Sequence, residues 1–271
     1  MFGKAIRFIA AAALLIAADI AFEVNFPAAR AINLSTEKLA KGEHITLLQV
    51  SDFHGSTSSK LAERVVNAAG KAKPDAVLIT GDLVDRSTDD FGNVYNLIRE
   101  LHSICPDIFF VSGNHEWSND SRQALLGSLS RMGVVILDNK GTAFATKAGV
   151  INICGVDDPY RHRDKISRAM KGLAGGKYTV LLSHSPRIRD RLEQYAPDLV
   201  LCGHTHGGQI RLPIVGALIA PGEGLLPVYN KGMYRLKGGS KLYIDSGVGT
   251  SKLPLRFLNR SQVSVIRIRG R

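Results

Sequence analysis

Five short apolar runs in this 271-residue chain end abruptly in residue types that bind metal ions: Ser51-Asp52-Phe53-His54, Gly81-Asp82, Gly113-Asn114-His115-Glu116, Ser183-His184 and Gly203-His204-Thr205-His206. Five of the eight histidines fall in these clusters, whereas His44, His102 and His162 lie outside them. Aspartate, asparagine and imidazole without a thiolate favour Mn, Fe or Zn over a cysteine-bound ion. Two divalent cations about 3.5–4 Å apart can hold both the attacking oxygen and a phosphoryl oxygen, and they need a carboxylate that bridges them. Asp82, alone after Gly81 at the end of an apolar run, is the natural bridge. In Asp52-Phe53-His54 and His204-Thr205-His206 the alternation puts two side chains on one side of an extended segment, so a short segment supplies two ligands. Gly81, Gly113 and Gly203 fit tight turns that point such ligands inward. An isolated Asp-x-His is usually a loop accident and an isolated Gly-Asp says little. Five clusters, each after a β-like run, are specific as a set.

Ligands at the ends of apolar runs need strands that carry them to one edge, and the rest of the chain reads that way. From Ile45 onward, Val-, Ile- and Leu-rich runs alternate with stretches of helical period, the α/β pattern. Strands are expected at 45–50, 76–80, 108–112, 134–137, 150–156, 178–182, 199–202, 241–245 and 262–269. Helical faces are expected at Leu61-Val65-Ala68-Ala69 and Val94-Leu97-Ile98-Leu101, with further helices at 124–132, starting near Ser118 or Asp120, and at 187–195. Sites in open α/β sheets form at the carboxyl ends of strands, where these clusters would converge.

Lys4 and Arg7 precede an apolar run from Phe8 to Ala18, followed by Asp19 and Ile20-Ala21-Phe22, a basic flank and hydrophobic stretch of targeting type. A bilayer span needs about 20 apolar residues, so a cleaved signal, an uncleaved anchor and an interfacial helix all stay open for residues 1–24. Residues 25–43 read as a linker and 44–271 as one catalytic domain. Positive charge before the apolar run places that domain on the outer side of the cytoplasmic membrane. The formal net charge of +11 points to anionic partners, phosphate esters or a membrane surface among them. Arg161-Arg163-Lys165, Arg187-Arg189-Arg191 and Arg267-Arg269-Arg271 read as solvated faces, and none is assigned to substrate. Cys105, Cys154 and Cys202 form no C-x-x-C pair and read as small core residues.

The series Asp52-x-His54, Gly81-Asp82-x-x-Asp85, Gly113-Asn114-His115-Glu116, His184 and Gly203-His204-x-His206 resembles the calcineurin-like metallophosphoesterase superfamily, and the resemblance runs from Ile45 to the C-terminus. It implies a four-layer α/β/β/α sandwich of two mixed sheets. It also implies two divalent cations, Mn2+ first and Fe or Zn as alternatives, with Asp52, His54, Asp82 and His206 on one and Asp82, Asn114, His184 and His204 on the other. His115 would protonate the leaving group, oriented by Asp85, after attack on phosphorus by a metal-bound hydroxide. Asp85-Arg86 is similar to phosphoprotein phosphatases, but those carry an arginine where this chain has Ser112. The segments 203–209, Gly247-Val248-Gly249-Thr250 and Pro254-Leu255-Arg256-Phe257 are instead similar to membrane-anchored bacterial phosphoesterases. Some of that branch act in lipid metabolism on lipid-linked nucleotides such as UDP-2,3-diacylglucosamine.

The resulting expectation is a phosphodiester or pyrophosphate hydrolase, with a phosphomonoesterase or phosphoprotein phosphatase as the alternative. A noncatalytic membrane-tethered module that keeps its metal ligands is the reading from a different class. Specific nucleic-acid binding is not expected.

Overall fold

Strands and helices alternate along the chain and build two mixed six-stranded sheets packed face to face, with helices on both outer faces. The computed structural model describes residues 2–250 and 254–271. Its first half runs α1 (Phe2–Asn25), β1 (Ala28–Thr36), β2 (His44–Val50), α2 (Ser59–Ala72), β3 (Ala76–Ile79), α3 (Gly92–Ile104), β4 (Ile108–Phe110), α4 (Asn114–Ser118), α5 (Arg122–Arg131) and β5 (Val135–Ile136). The second half continues with β6 (Lys140–Thr146), β7 (Gly149–Gly155), α6 (Ile166–Ala169), β8 (Thr179–Leu182) and β9 (Leu199–Cys202). Two minimal hairpins follow, β10 (Arg211–Leu212) with β11 (Gly216–Ala217) and β12 (Ile219–Ala220) with β13 (Gly224–Leu225), before β14 (Gly232–Arg235), β15 (Lys241–Ile244) and β16 (Gln262–Gly270).

The first sheet has the order β1-β16-β2-β3-β4-β5, and the second β14-β15-β9-β8-β7-β6. In the first, β2 to β5 are parallel; in the second, β15, β9, β8 and β7 are. Strands covered on both faces read as continuous apolar runs, and every residue of Ala76–Ile79 and Leu199–Cys202 is buried. Alternation along β2 sends Leu48 and Val50 toward the helices and Ile45 and Leu47 toward the second sheet. Leu61, Val65 and Ala69 of α2 and Val94, Leu97, Ile98 and Leu101 of α3 form the outer core on that side. Ile166, Ala169, Ile188 and Leu192 cover the far face of the second sheet. The parallel strands of both sheets therefore direct their carboxyl ends to a common edge.

Three local expectations differ from what the chain does. Residues 28–36, expected within a linker, form β1, which pairs in parallel with β16 from Ala28↔Gln262 to Thr36↔Gly270. Most of β1 is exposed or half-buried, so no apolar alternation marked it. The expected helix at 187–195 is a 3-10 segment, Pro186–Arg191, started by Ser185, whose hydroxyl accepts the Arg187 N–H at 3.3 Å. The helix expected near Ser118 divides into α4 and α5, separated at Asn119, whose side-chain NH2 donates to the Asp85 and Thr88 carbonyls at 3.0 and 2.8 Å. The Gly-rich stretch after β9 holds the two small hairpins. Cys105, Cys154 and Cys202 are buried and free, as expected.

Helix α1 stands away from the core, with no buried side chain, and an 18-residue window of mean hydropathy 2.1. At about 1.5 Å per residue it is long enough for a hydrocarbon layer of about 30 Å. Its C-terminal part is tied to the domain by Leu258 N–H donating to Asp19 (3.1 Å) and Ser261 N–H donating to the Glu23 carbonyl (2.9 Å).

Candidate metal centre

All seven residues expected as ligands meet at the carboxyl edge. Asp52, His54 and His206 form one cluster and Asp82, His184 and His204 a second. In the first, His54 Nε2 and His206 Nε2 lie 3.2 Å apart and 4.0 and 3.7 Å from Asp52 Oδ1. In the second, His184 Nε2 lies 3.1 Å from Asp82 Oδ2, 3.2 Å from Asn114 Oδ1 and 3.1 Å from His204 Nδ1. Asp82 Oδ2 is also 3.9 Å from His54 Nε2, so this one oxygen faces both clusters. The other oxygen, Oδ1, accepts the His115 backbone N–H at 2.9 Å, which fixes the carboxylate between them.

The arrangement rests on turns rather than on extended alternation. Asp52, His54, Asp82, His204 and His206 all have positive φ, between 49° and 71°, a region that costs a non-glycine residue about 1–3 kcal/mol and persists only where the surroundings enforce it. The expectation that Asp52-Phe53-His54 and His204-Thr205-His206 are extended is thus corrected, and His204 and His206 enter different clusters. The glycines also act differently from one another. Gly81 has φ +85°, whereas Gly113 and Gly203 do not occupy the left-handed region. They are needed because a Cβ at 113 would overlap Asp82 Oδ1, and one at 203 would overlap Ser51 Oγ and Asp52 Oδ2.

These side chains fit divalent cations on their own chemistry. His184 Nδ1 sits 2.9 Å from the Thr80 carbonyl and donates to it, turning Nε2 toward Asp82, Asn114 and His204. One proton cannot serve four convergent acceptor atoms, whereas a cation can. Burial opposes charge on the imidazoles, holding His54 down to about 4 and His204 to about 3, with His206 well below its ordinary value. These three present lone pairs at neutral pH. Burial also opposes charge on His184, but the Asp82 carboxylate outweighs it and raises this imidazole to about 10. Against the same burial, Asp82 is held well below the carboxylate range, chiefly by His184. Burial lifts Asp52 to about 6. The field that draws a proton to His184 is the field that would hold a cation.

His115 is outside both clusters but beside them. Its Nδ1 is 2.9 Å from Asp85 Oδ1, and its Nε2 is 3.9 Å from Asp82 Oδ2. In the tautomer that donates Nδ1–H to Asp85, Nε2 faces the centre. Asp85 is fixed by Thr88, whose hydroxyl accepts the Asp85 N–H at 2.9 Å.

Several supporting residues were not assigned from sequence. Glu116 is fully buried, and its carboxylate accepts N–H groups of Gly113, Asp82, Leu83 and Val84 at 2.7, 2.9, 2.7 and 3.3 Å. It locks the Asp82 loop to the Asn114 loop, and burial with the Asp82 charge lifts it to about 7. Trp117 lies between two guanidinium groups, Arg122 and Arg163, 3.6 and 3.4 Å from the ring centre, and donates Nε1–H to Asp157 at 2.6 Å. Arg256, fully buried, donates through Nη2 to the carbonyls of Ser246, Gly247 and Gly249 at 2.7, 3.0 and 2.7 Å and lies 3.5 Å from His206 Nδ1. That strap is bonded to the Asp52 loop through Val248 N–H to Ser51 and Gly249 N–H to Asp52, at 2.9 and 2.7 Å. The glycines and Arg256 noted in the sequence therefore support the first cluster. Asp158 is fully buried, with one oxygen unpartnered among the described residues; burial raises it to about 6. A signal for it existed, since the run 150–156 also ends in a polar pair, Asp157-Asp158. Ser112 is buried and donates to Asp138 at 2.7 Å.

Two packed sheets whose strand ends meet in Asp, Asn and His clusters facing one carboxylate form a candidate metal centre. The calcineurin-like phosphoesterase family model matches residues 45–208, and the chain belongs to that family. A metallophosphoesterase of Helicobacter pylori is 34% identical over 240 residues, covering 86% of this chain and 61% of that protein. One from Aquifex aeolicus is 32% identical over 269 residues, covering 96% and 98%. A transmembrane protein with a metallophosphoesterase domain from Danio rerio is 29% identical over 254 residues, covering 87% and 56%. The chain thus spans about three-fifths of the Helicobacter relative's length.

Proposed function

We propose that this enzyme holds two divalent cations, Mn2+ in the first instance, and hydrolyses phosphodiester or pyrophosphate bonds of a lipid-linked substrate such as UDP-2,3-diacylglucosamine at a membrane surface. The observation that carries the reading is Asp82 Oδ2 facing both lone-pair clusters. Asp52, His54, Asp82 and His206 would hold one ion and Asp82, Asn114, His184 and His204 the other. Bound there, the ions would polarise a phosphoryl oxygen and acidify a water molecule. His115, held through Nδ1 by Asp85, donates a proton from Nε2 to the departing oxygen.

Residues 1–24 serve as the signal or anchor and 44–271 as the catalytic unit, to which residues 25–43 are tied through β1 and β16. The apolar, unburied α1 supports membrane attachment, and Lys4 and Arg7 before it favour a catalytic domain on the outer side. A lipid nucleotide made in the cytosol calls for the opposite orientation, and protease accessibility in intact spheroplasts decides between that substrate and an outward-facing lipid pyrophosphate.

Steady-state turnover of purified, Mn2+-loaded protein on a lipid pyrophosphate in mixed micelles, a soluble diester and a phosphoserine peptide tests the substrate class. Faster turnover of the pyrophosphate or diester is expected, because Ser112 occupies the place of a phosphate-gripping arginine. Preference for the phosphopeptide would overturn it.

A further inference from the structure

We propose that the two hairpins β10–β13 form a membrane-docking surface beside α1, seated in the interface of the same bilayer and opening directly onto the metal centre. The proposal deepens the membrane-attached reading above and rests on it. Leu212, Ile214, Val215, Leu225, Leu226 and Val228 all point into solvent, with Ile214 at 108%, Leu225 at 79% and Val228 at 73% exposure. So many large apolar side chains on one short stretch are unusual for a water-facing surface.

Three observations identify a bilayer as the occupant. The first is continuity with α1. Arg211 N–H donates to the Phe257 carbonyl and Phe257 N–H to the Gln209 carbonyl, both at 3.0 Å, and the next residue, Leu258, donates to Asp19 of α1 at 3.1 Å. Asp19 and Glu23 are the acidic residues that close the apolar stretch of α1, so an anchor spanning the bilayer holds position 258, and the hairpin bonded to it, at the depth of the polar boundary. The second is charge. Residues 209–237 carry Arg211, Lys231, Arg235 and Lys237 against Glu223 alone, and Glu223 is occupied by Arg189 at 2.8 Å. Arg211 and Lys231 are half-buried and bonded to protein acceptors, and the local excess of basic residues over Glu223 suits an anionic lipid interface.

The third is the position of the inner end of the second hairpin. Its turn residue Gly222, φ +72°, lies against His204, such that a Cβ there would sit 2.8 Å from Nε2. The Gly222 carbonyl accepts from Arg187 Nη2 and Nε at 2.7 and 3.1 Å. One hairpin thus presents Leu225 and Leu226 outward and its turn to a candidate metal ligand. A phosphoryl group at the headgroup level reaches the centre while its acyl chains stay in the bilayer.

The test uses the full chain in phosphatidylcholine–phosphatidylglycerol vesicles, with an environment-sensitive fluorophore on a single introduced cysteine. The three native cysteines are buried, which favours selective labelling. Labels at Ile214→Cys and Leu226→Cys should be blue-shifted and quenched by nitroxide-bearing lipids, and a label at Lys147→Cys, at the opposite end of the second sheet, should stay aqueous. A label at Leu15→Cys reads α1 separately. If 15 is quenched and 214 and 226 remain in water, the docking surface is wrong and the anchor reading survives. If 15 is also aqueous, both fall. A blue shift at 214 without lipid quenching means that a second copy covers the patch, which overturns the proposal.

A second arm reads function. Burying each such side chain is worth about tenfold or more, so Ile214→Asp/Leu226→Asp should lower turnover of a vesicle-embedded lipid pyrophosphate by at least about tenfold while leaving a soluble diester unchanged. Equal rates on both substrates, relative to the parent enzyme, would reject the surface.

Discussion

The two sheets contribute unlike halves to the candidate metal centre. The first supplies Asp52, His54, Asp82 and Asn114, mainly oxygen donors, on loops cross-tied by the Glu116 carboxylate and by the strap that Arg256 holds against Ser51 and Asp52. The second supplies only imidazoles, His184, His204 and His206. There the loops run into solvent-exposed hairpins. Each cluster takes ligands from both sides, so docking of the sheets through the Ile45, Leu47, Ile153, Val180 and Leu201 layer creates the site. The half cross-tied by Glu116 fixes the shared carboxylate, and the half that leads into the hairpins forms the rim beside which a substrate would enter. Strain at five left-handed ligands is tolerated because both halves enforce it.

The largest effect should come from the carboxylate on which the comparison turns. Asp82→Asn removes the oxygen facing both clusters and should abolish tight binding of both ions. Activity should fall by more than the roughly 10–100-fold typical of changes outside the coordinating set. Asp52→Asn should weaken mainly the first ion. Metal analysis of reconstituted protein checks both, and two tightly held ions in Asp82→Asn would contradict the bridge.

His115 comes next, because it acts on the leaving group rather than on the ions. His115→Ala should retain both metals and lose about 10²–10⁴-fold on substrates with high-pKa leaving groups, while a nitrophenyl ester, which departs unprotonated, loses far less. Equal losses on both esters with metals intact would remove the acid role. Loss of metal would instead make His115 a ligand.

The same asymmetry explains what the sequence disclosed. The candidate clusters were legible because each ends an apolar run of a parallel strand, and the fold brings the seven residues picked out by that rule to one edge. The backbone basis was less visible: left-handed φ at Asp52 or His204 is enforced by residues far away in sequence. Strand β1 was hidden because its alternation is weak and its partner, β16, lies at the other end of the chain. Two-residue strands such as β12 and β13 carry no periodicity. Glu116 and Arg256 read as charged loop residues because their task, accepting from or donating to the backbone of other loops, leaves no local pattern.

Glu116 therefore tests whether the bracing of the first half matters. Glu116→Gln keeps the shape but exchanges an acceptor oxygen for an NH2 group facing backbone N–H donors. A buried donor left unmatched costs about 1–3 kcal/mol, and a change of this kind around a metal site lowers affinity about 10–100-fold. Both ions should weaken together, since the Asp82 and Asn114 loops loosen at once. Separate calorimetric titrations of the two sites would show it, and a selective loss of the first ion would move the brace elsewhere.

The smallest expected effect probes the less braced half. Gly222→Ala places a methyl 2.8 Å from His204 Nε2 at a residue with φ +72°. In a rigid surround this would displace the imidazole, as Ala at Gly113 would displace Asp82. The Gly222 turn, however, joins two-residue strands and is held by the long side chains of Arg187 and Arg189, which can follow a shift of a few tenths of an ångström. The remaining cost is the left-handed backbone, about 1–2 kcal/mol for a non-glycine residue, and part of that is relieved by the same shift. Gly222→Ala should weaken the second ion by less than about tenfold and leave the first unchanged, while Gly113→Ala loses both. If Gly222→Ala instead strips the second ion completely, the hairpin turn is as firmly held as the Glu116-locked loops, and the two halves do not differ in rigidity.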